Sequence, residues 1–511
     1  MSIDFIEHLA VQADRIPDAS ALGTVGHRAL TYRELSDTVD RVAAGLDAAG
    51  FRPGDRMLFS IRPSVASVSL IFGVLAAGGA IVFVDPGIGP ELFARRVELV
   101  EPRWAATESL LYAVSGPLAA FGRRRGLSLP RFGSLAVRHI HSGPWLPGTP
   151  LHSIPLRRFT DGTASRTGQG YSRPAADPDA PALIVFTSGT TAEPKAVVHS
   201  RASLGAGLSA MAGRTTLAPG AFLHTEQLMM GLPALMAGAR WAMPRYPRFG
   251  THIDPVGFTA GMRTATHAFY TPADLAVALD ALESGRVGMP PYLRQVALGG
   301  APVTTALLRR ARKSLPYTEF LAIYGMTEIL PVAVTNDTAK LAHSGDLLGA
   351  PVPGVLARIA DDGELMLSGP NLCRGYLGAE PLAEVDTGDL ARWDDGRLVL
   401  TGRKKDMMIR GKTNIYPGLY EPAINAEDGV REAVMVGLPD EIGDERIVLA
   451  VVPEPGDNGV VDRLRTRLPQ LIDTTAVPDD IVLIDRIPVS GRTSKPDRTA
   501  LRALLRERLG R

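Results

Sequence analysis

The stretch FTSGTTAEPKAV, residues 186–197, has the residue types of a phosphate-binding loop. It follows an apolar run and offers hydroxyl groups, a glycine and one cation: Thr187, Ser188, Gly189, Thr190, Thr191 and Lys195. Backbone N–H groups in such a loop form a concave anion site, to which hydroxyls and a lysine add donors. The spacing is not that of the G-x-x-x-x-G-K-[ST] Walker A loop, so the sequence predicts a phosphate site of another class.

A second segment, YGMTE, combines an aromatic ring with a carboxylate. Tyr324 follows the apolar residues 320–323, which predict a strand, and Glu328 comes four residues later. A tyrosine at a strand end can stack on a nucleobase, and a carboxylate can hold Mg²⁺ against phosphate oxygens. These two residues therefore suit the base and the metal of a bound nucleotide.

Charged groups recur in two further segments. Residues 386–390, DTGDL, offer carboxylates in what we expect to be a turn, and they suit ribose hydroxyls. Arg403 follows Asp389 by fourteen residues, and Lys495 stands in the run SKPDR near the C-terminus. Each segment is a weak signal alone, but their order along the chain is informative.

In this order, the motifs resemble those of the adenylate-forming superfamily, which contains acyl-CoA synthetases, peptide-synthetase adenylation domains and luciferases. The resemblance extends from residues 30–35, LTYREL, to residues 501–502. It implies that ATP and Mg²⁺ are the cofactors. A carboxylic acid would attack the α-phosphate of ATP, giving an acyl adenylate and pyrophosphate.

The resemblance also implies roles for individual residues. Residues 187–195 would hold the β- and γ-phosphates, Thr327 would touch the α-phosphate and Glu328 would hold Mg²⁺. Lys495 would be the mobile lysine that stabilises the charge developing during adenylation. Lys405 would be the hinge between two domains. The adenosine group would be bound by Gly300, Ala301, Pro302, Tyr324, Asp389 and Arg403.

Two motifs depart from the family pattern. The loop usually reads T-G-x-P-K-G, whereas Ala192 and Ala196 replace both glycines here. Alanine at a position that needs positive φ would strain the loop. The lysine motif usually reads S-G-K, whereas Thr493 and Ser494 precede Lys495 here. We keep Lys495 as the catalytic lysine because the residues after it match the family.

Three segments resemble one branch, the olefin β-lactone synthetases: residues 84–89, VDPGIG; residues 300–303, GAPV; and residues 327–332, TEILPV. Residues 419–422, LYEP, also resemble that branch. The resemblance implies a 2-alkyl-3-hydroxy fatty acid whose own hydroxyl attacks the acyl adenylate, expels AMP and closes a β-lactone. This step is intramolecular. Such a substrate implies upstream partner enzymes that condense and reduce acyl chains.

Other segments keep alternatives open. Residues 402–406, GRKKD, and 414–417, NIYP, look like the acyl-CoA ligase branch, so a fatty acyl-CoA ligase and the use of CoA stay open. A nucleotide-binding pseudoenzyme is the alternative of another class, although it would be expected to lack Glu328 or Lys495. His224 falls at a position where members of the superfamily often have an aromatic residue or a histidine that lines the acyl pocket. It is a candidate base for the hydroxyl or a structural residue. We interpret His267 as structural.

Composition excludes some classes of function. The chain has 511 residues, with 55 basic against 54 acidic side chains. It therefore lacks the basic excess that would indicate a nucleic-acid partner. Cys373 is the single cysteine, which fits a reducing cytoplasm. The run that it begins, CRGY, is a surface pattern of the family, and we assign the thiol no catalytic role. The N-terminus lacks the basic-then-apolar layout of a signal peptide. We expect a cytoplasmic protein.

The elements that must position these residues alternate between helix and strand. Residues 64–84 contain no charge over 21 residues, long enough for a membrane span. However, Gly78 and Gly79 split the segment, and its end is β-branched, so we predict a helix, a turn and a buried parallel strand instead of an integral membrane helix. The same alternation through the first 400 residues predicts an α/β fold with parallel sheets covered by helices.

The pattern changes near residue 400. A charged run, residues 401–406, lies between two apolar runs, as at a domain junction. After it we predict helices near residues 420–427 and 460–470, and strands over residues 433–437, 447–452 and 481–484. That is an α+β unit of about one hundred residues. We therefore predict a large N-terminal domain over residues 1–402 and a small, mobile C-terminal domain over residues 403–511.

Overall fold

The computed structural model describes residues 4–84, 90–120, 129–161, 172–186, 195–247, 253–410, 413–415, 417–439, 445–457, 459–472, 476–490 and 495–510. The chain divides into two compact units. The first contains Met1–Ile253, Thr327–Leu330 and Pro370–Ala383, and the second contains Asp254–Met326, Pro331–Gly369 and Glu384–Arg511. The boundary predicted at residues 402 and 403 stays a prediction. None of the helices in the described ranges combines the length and apolar character needed to cross a membrane.

An eight-stranded sheet is the main element of the first unit. In spatial order its strands are Gly375–Tyr376, Ala196–Ser200, Pro181–Phe186, Ala80–Phe83, Arg56–Ser60, Trp104–Glu108, Arg138–Ser142 and Ile154–Pro155. The last six run parallel, and the first two pair antiparallel. A second group of strands pairs in the order Phe222–His224, Arg240–Met243, Ser20–Thr24 and Leu30–Thr31.

Among the helices of the first unit, Tyr32–Ala48 has buried residues every three or four positions, whereas Val65–Ala76 is buried on nearly all sides. Residues Thr31 and Glu34 begin the helix Tyr32–Ala48 with a reciprocal capping box. The prediction that residues 64–84 form a helix, a turn and a strand is confirmed by Val65–Ala76 and Ala80–Phe83. The other helices are Phe5–Arg15, Pro90–Val100, Ser109–Ser115, Arg157–Thr160, Arg201–Ala212 and Leu228–Met236, with a 3-10 turn at Phe132–Ser134.

The second unit contains parallel and antiparallel sheets. Three parallel strands, His267–Tyr270, Gln295–Leu298 and Glu319–Met326, pair in that order. Five antiparallel strands pair in the order Asp346–Gly349, Arg397–Arg403, Val385–Asp394, Glu364–Ser368 and Leu356–Ile359. The strand Ile329–Asn336 contains residues of both units. The helices before residue 400 are Pro255–Ala260, Pro272–Glu283, Thr305–Ser314 and Asp337–Ala342.

The C-terminal part of the second unit has a three-stranded sheet with helices on both faces. Val430–Pro439 pairs antiparallel with Glu445–Pro453, which pairs parallel with Asp480–Leu483. Alternate residues of the strands pack against Pro417–Ile424 and Val460–Leu471 on one face and against Arg498–Arg508 on the other. Two short hairpins join Met408–Arg410 to Thr413–Ile415 and Val489–Ser490 to Lys495–Pro496. The predicted fold class, a large α/β part with a small α+β part, is confirmed.

Candidate active site

The predicted phosphate loop connects two paired strands of the eight-stranded sheet. Phe186 ends one strand and pairs with Ala196, which begins the next. Lys195 lies directly before that strand, whereas residues 187–194, with the predicted donors Thr187, Ser188, Gly189, Thr190 and Thr191, lie outside the described residues. Ala196 is extended and buried, so alanine causes no backbone strain at this position.

Tyr376 brings Lys195 and Glu328 close together in the first unit. The Tyr376 hydroxyl donates a hydrogen bond of 3.0 Å to Oε1 of Glu328, which is buried. The Lys195 ammonium lies 5.3 Å from the centre of the Tyr376 ring, within cation–π range. A cation at the ring and a carboxylate at the hydroxyl of one phenol can together bind a phosphate and the divalent cation that accompanies it. The sequence interpretation did not identify Tyr376.

His199 is a second residue that the sequence interpretation missed. Its Nε2 donates a 2.8 Å hydrogen bond to the backbone oxygen of Thr327, the exposed residue just before Glu328. Burial lowers the pKa of His199, so the ring is neutral near pH 7 and carries its proton on Nε2. The backbone N–H of Cys373 donates a 2.7 Å hydrogen bond to the Glu328 backbone oxygen. These bonds fix the backbone of Thr327 and Glu328 from two sides.

Three predicted nucleotide-binding residues meet in the second unit. The Tyr324 hydroxyl donates a 2.7 Å hydrogen bond to Oδ2 of Asp389, and the Arg403 Nε lies 2.7 Å from Oδ1 of the same carboxylate. Asp389 and Arg403 are directly opposite each other on neighbouring antiparallel strands. Enclosure of the hydroxyl, with the charge of Asp389 adding to it, raises the pKa of Tyr324 well above its usual value. The phenol therefore stays a hydrogen-bond donor over the physiological pH range.

The segment around Asp389 is a strand, which corrects the prediction of a turn over residues 386–390. Leu390 pairs with Glu364 and Asp386 with Met366, so three residues lie opposite the single residue Leu365. This is a β-bulge, in which Gly388 has a φ of 68°. The carboxylate of Glu364 accepts the Gly388 N–H at 2.8 Å. The bulge bends the strand immediately before Asp389.

Tyr324 also lies inside its strand, Glu319–Met326, and not at the predicted strand end. The residues predicted for the adenine pocket, Gly300, Ala301 and Pro302, follow the neighbouring parallel strand, Gln295–Leu298. Leu298 pairs with Ala322, so Gly300 and Tyr324 each lie two residues beyond a paired position at one edge of the sheet. This edge presents a ring and a glycine-containing loop with φ of 81° at Gly300.

The remaining predicted residues lie in other secondary-structure elements. Lys405 is in the 3-10 turn Lys404–Asp406, and Lys495 is in the hairpin strand Lys495–Pro496. His224 ends the strand Phe222–His224 and is 1% exposed, so a role in an acyl pocket stays a prediction. His267 is buried in a strand, and burial lowers its pKa to about 4, in line with a structural role.

Cys373 corrects one expectation. It does not lie at the surface but is buried, and burial raises the pKa of its thiol to about 11. A thiol with so high a pKa is a poor nucleophile at neutral pH, which agrees with the assignment of no catalytic role.

Comparison with known proteins identifies the family. Residues 9–377 match the AMP-binding enzyme family, and residues 420–495 match its C-terminal domain. The chain belongs to the AMP-binding enzyme family. It is accordingly an AMP-forming acid ligase, which uses ATP to activate an acid as an acyl adenylate.

Several known proteins are similar over almost the whole chain. The fatty acid–acyl-carrier-protein ligase ScoC of Streptomyces coeruleorubidus is 29% identical, over 94% of this chain and 92% of its own. A feruloyl-CoA synthase of Amycolatopsis is 28% identical, over 91% of this chain and 92% of its own. The solved amide bond synthetase McbA of Marinactinospora thermotolerans has a TM-score of 0.77 at 23% identity, over 98% and 99% of the two chains. The last likeness shows the fold alone.

Proposed function

We propose that Tyr324, Asp389 and Arg403 bind the adenosine group of ATP, with Gly300, Ala301 and Pro302 beside the adenine. The observation that supports this most directly is the Tyr324–Asp389–Arg403 chain of contacts at 2.7 Å each. It leaves the tyrosine ring for stacking, and it holds a carboxylate that can accept ribose hydroxyls. In the first unit, Lys195 and Thr327 would contact the phosphates, together with Thr187, Ser188, Gly189, Thr190 and Thr191.

We also propose that Glu328 binds Mg²⁺. Mg²⁺ prefers oxygen ligands and is usually held by one or two carboxylates together with substrate phosphates and water. Among the described residues, no three His, Cys, Asp or Glu side chains form a metal-binding group. Glu328 would supply one carboxylate oxygen, and the phosphates of ATP and water would supply the other ligands. The ion, when bound, would neutralise charge on the phosphates, while Tyr376 keeps the Glu328 carboxylate oriented.

For the acid itself, we propose a 2-alkyl-3-hydroxy fatty acid that is cyclised to a β-lactone. The observation that carries this choice is the set of segments at residues 84–89, 300–303 and 327–332. The 3-hydroxyl oxygen would attack the acyl carbon of the adenylate, the bond to the AMP oxygen would break, and the hydroxyl proton would leave to solvent or to a base. AMP and a four-membered lactone result. No second substrate is required, because the nucleophile is tethered.

An acyl-CoA ligase is the second candidate. It is supported by residues 402–406 and 414–417, and by relatives named as a fatty acid–acyl-carrier-protein ligase and a feruloyl-CoA synthase. In that case a thiol replaces the tethered hydroxyl as nucleophile. Adenylation is common to both candidates, so only the second step separates them.

The proposed mobility of residues 403–511 concerns that second step. Lys405 would be the hinge about which the C-terminal domain moves after adenylation, taking Lys495 away from the phosphates. The backbone at Lys405 forms a short 3-10 turn between a strand and a hairpin, a local structure that can absorb a change in φ and ψ.

Product identification tests the function. The protein is incubated with ATP, Mg²⁺ and a 2-alkyl-3-hydroxy fatty acid, without CoA, and products are identified by mass. We expect a product one water lighter than the acid, with AMP and pyrophosphate in equal amounts. If pyrophosphate is released but that product is not formed, the proposed adenylation stands and the proposed lactone formation is wrong.

A further inference from the structure

Two oppositely charged residues flank the proposed hinge, and each is anchored. On the N-terminal side, the Lys404 ammonium lies 2.6 Å from Oδ2 of Asp362 and also bonds the Glu364 carboxylate. Glu364 begins a strand of the five-stranded antiparallel sheet, and Asp362 lies in the turn that precedes this strand. Lys404 therefore ties the start of the 3-10 turn to that sheet.

On the C-terminal side, Asp406 is bonded to the last helix of the chain. Its Oδ2 lies 3.2 Å from Nε of Arg498. The two terminal nitrogens of Arg498 donate to both carboxylate oxygens of Glu421 at 2.8 and 2.9 Å, and one of them also donates to the Met435 oxygen. The Glu421, Arg498 and Asp406 side chains are 15–19% exposed. Loss of one partner from such a half-buried group leaves a poorly solvated charge, so these contacts hold the turn and the last helix together.

Arg498 in turn fixes the segment that carries Lys495. It is the first residue of the helix Arg498–Arg508, which Asp497 caps by accepting the Ala500 N–H at 2.9 Å. On the other side, Lys495 pairs with Ser490 in the short hairpin. The lysine backbone thus lies between a paired strand and a helix start that Arg498 anchors.

We propose that Asp406 is a positioning residue that acts through Arg498 on Lys495. It couples the residue immediately after the hinge to the segment that bears the catalytic lysine, so that rotation at Lys405 carries Lys495 with it. The Lys404 pairs keep the other side of Lys405 in place. The inference rests on the proposed function, in which Lys495 stabilises the charge formed during adenylation.

Asp406→Asn tests the coupling with little change in volume. It removes the charge that faces Nε of Arg498 but leaves the two bonds of Arg498 to Glu421, so the helix stays docked. Pyrophosphate release is measured with ATP, Mg²⁺ and a 3-hydroxy acid. We expect kcat to fall about tenfold, since misplacement of a catalytic group by 1 Å can cost ~10²-fold. The KM for ATP should change by less than about twofold, because the adenosine contacts are intact.

Asp480→Asn is the matched control. Asp480 also holds an arginine through two bonds, at 2.7 and 3.0 Å to Arg446, in the same C-terminal part of the chain. It lies on the strand Asp480–Leu483 and not on the segment with Lys495. We expect its kcat within about twofold of wild type. An equal loss of kcat in both variants would mean general destabilisation and would overturn the inference.

A double-mutant cycle with Lys495→Ala asks whether Asp406 acts through the lysine. If it does, Asp406→Asn should lower the rate in the wild-type background but not the residual rate of Lys495→Ala. The same fold-loss in both backgrounds would show a role independent of Lys495. In addition, Asp406→Glu, which keeps the charge, should recover most of the lost rate.

The proposed function and the inference fail in different ways. If wild type releases pyrophosphate and Asp406→Asn matches it, the function stands and the inference is overturned. If wild type releases none with any acid, the function is overturned, and hydrogen exchange decides the inference. The amides of Lys495 and of residues 497–500 should then exchange faster in Asp406→Asn than in wild type or Asp480→Asn. Unchanged exchange would contradict the coupling.

Discussion

The Tyr376 hydroxyl donates a 3.0 Å hydrogen bond to Oε1 of Glu328, although the two residues are 48 positions apart. The contact exists because the strand Gly375–Tyr376 pairs with Ala196–Ser200, and because Cys373 bonds the Glu328 backbone. The same ring lies beside Lys195. Tyr376 therefore contacts both the proposed metal ligand and the proposed phosphate lysine in the first unit.

Tyr376→Phe should weaken the response to Mg²⁺. The change removes the hydroxyl that orients Glu328 but keeps the ring against Lys195. Loss of a hydrogen bond to a metal ligand typically costs 10–100-fold in metal affinity, so we expect the Mg²⁺ concentration for half-maximal pyrophosphate release to rise about tenfold. Tyr317→Phe is the control, because Tyr317 is 88% exposed. An unchanged Mg²⁺ titration would remove Tyr376 from the metal site.

Glu328→Gln should raise the Mg²⁺ requirement further. A neutral amide is a poorer ligand for a hard cation than a carboxylate, while its shape is nearly the same. The Tyr376 hydroxyl can still donate to the amide oxygen, so the fold should be retained. Pyrophosphate release is titrated with Mg²⁺ for both single variants and for the double variant. If Glu328 is the ligand, Tyr376→Phe should raise the Mg²⁺ requirement little further in the Glu328→Gln background. Additive increases in the Mg²⁺ requirement would mean that the two residues act independently.

The sequence predicted the elements around these residues better than the contacts between them. The helix, turn and strand predicted over residues 64–84 are observed at Val65–Ala76 and Ala80–Phe83, because the apolar spacing and the glycine break that predict them are local. The strands predicted over residues 433–437 and 447–452 are observed within Val430–Pro439 and Glu445–Pro453 for the same reason. Tyr376 and His199 were missed because their partners are distant in sequence, and the run CRGY, which ends at Tyr376, was interpreted only as a surface pattern.

Residues 386–390 show why a local pattern can predict the wrong element. A glycine between two carboxylates is typical of a turn, and Gly388 does have positive φ. A residue with positive φ is also found in β-bulges. A turn and a β-bulge differ here in whether a neighbouring strand continues alongside the segment. Here Glu364–Ser368 does so, and its Glu364 accepts the Gly388 N–H. The contact between Asp389 and Arg403 agrees with the pairing of these two residues in the prediction, whereas the predicted element was wrong.

Lys495→Ala should suppress adenylation while ATP still binds. The lysine is proposed to act on charge that develops in the transition state, so its loss should lower kcat and not ground-state binding. Removal of one preorganised electrostatic group costs roughly 10²–10³-fold in kcat. Pyrophosphate release gives the rate, and calorimetric titration gives the ATP dissociation constant, which should change by less than about twofold. Pyrophosphate release at the wild-type rate would show that the lysine is not catalytic.

Lys405→Pro should separate the two half-reactions. Proline fixes φ near −65° and removes an N–H, so a residue that must rotate is locked. Lys405→Ala, which leaves φ free, is the control. Adenylation is followed by pyrophosphate release and the second step by AMP release. We expect AMP release to fall more than pyrophosphate release in the proline variant, and both to stay near wild type in the alanine variant. Equal loss of both steps would count against a hinge at this position.

The final prediction distinguishes lactone formation from thioester formation by removing the nucleophile from the substrate. With a 2-alkyl-3-hydroxy acid, AMP release should be as fast without CoA as with it, because a well-oriented intramolecular hydroxyl has an effective concentration of ~10⁵ M or more. With the matched acid that lacks the 3-hydroxyl, one equivalent of pyrophosphate per enzyme should appear and AMP release should stall, since the adenylate has no attacking group. CoA should not relieve the stall if the protein is a lactone synthetase. Rapid turnover of the deoxy acid once CoA is added, with no lactone from the hydroxy acid, would instead identify an acyl-CoA ligase.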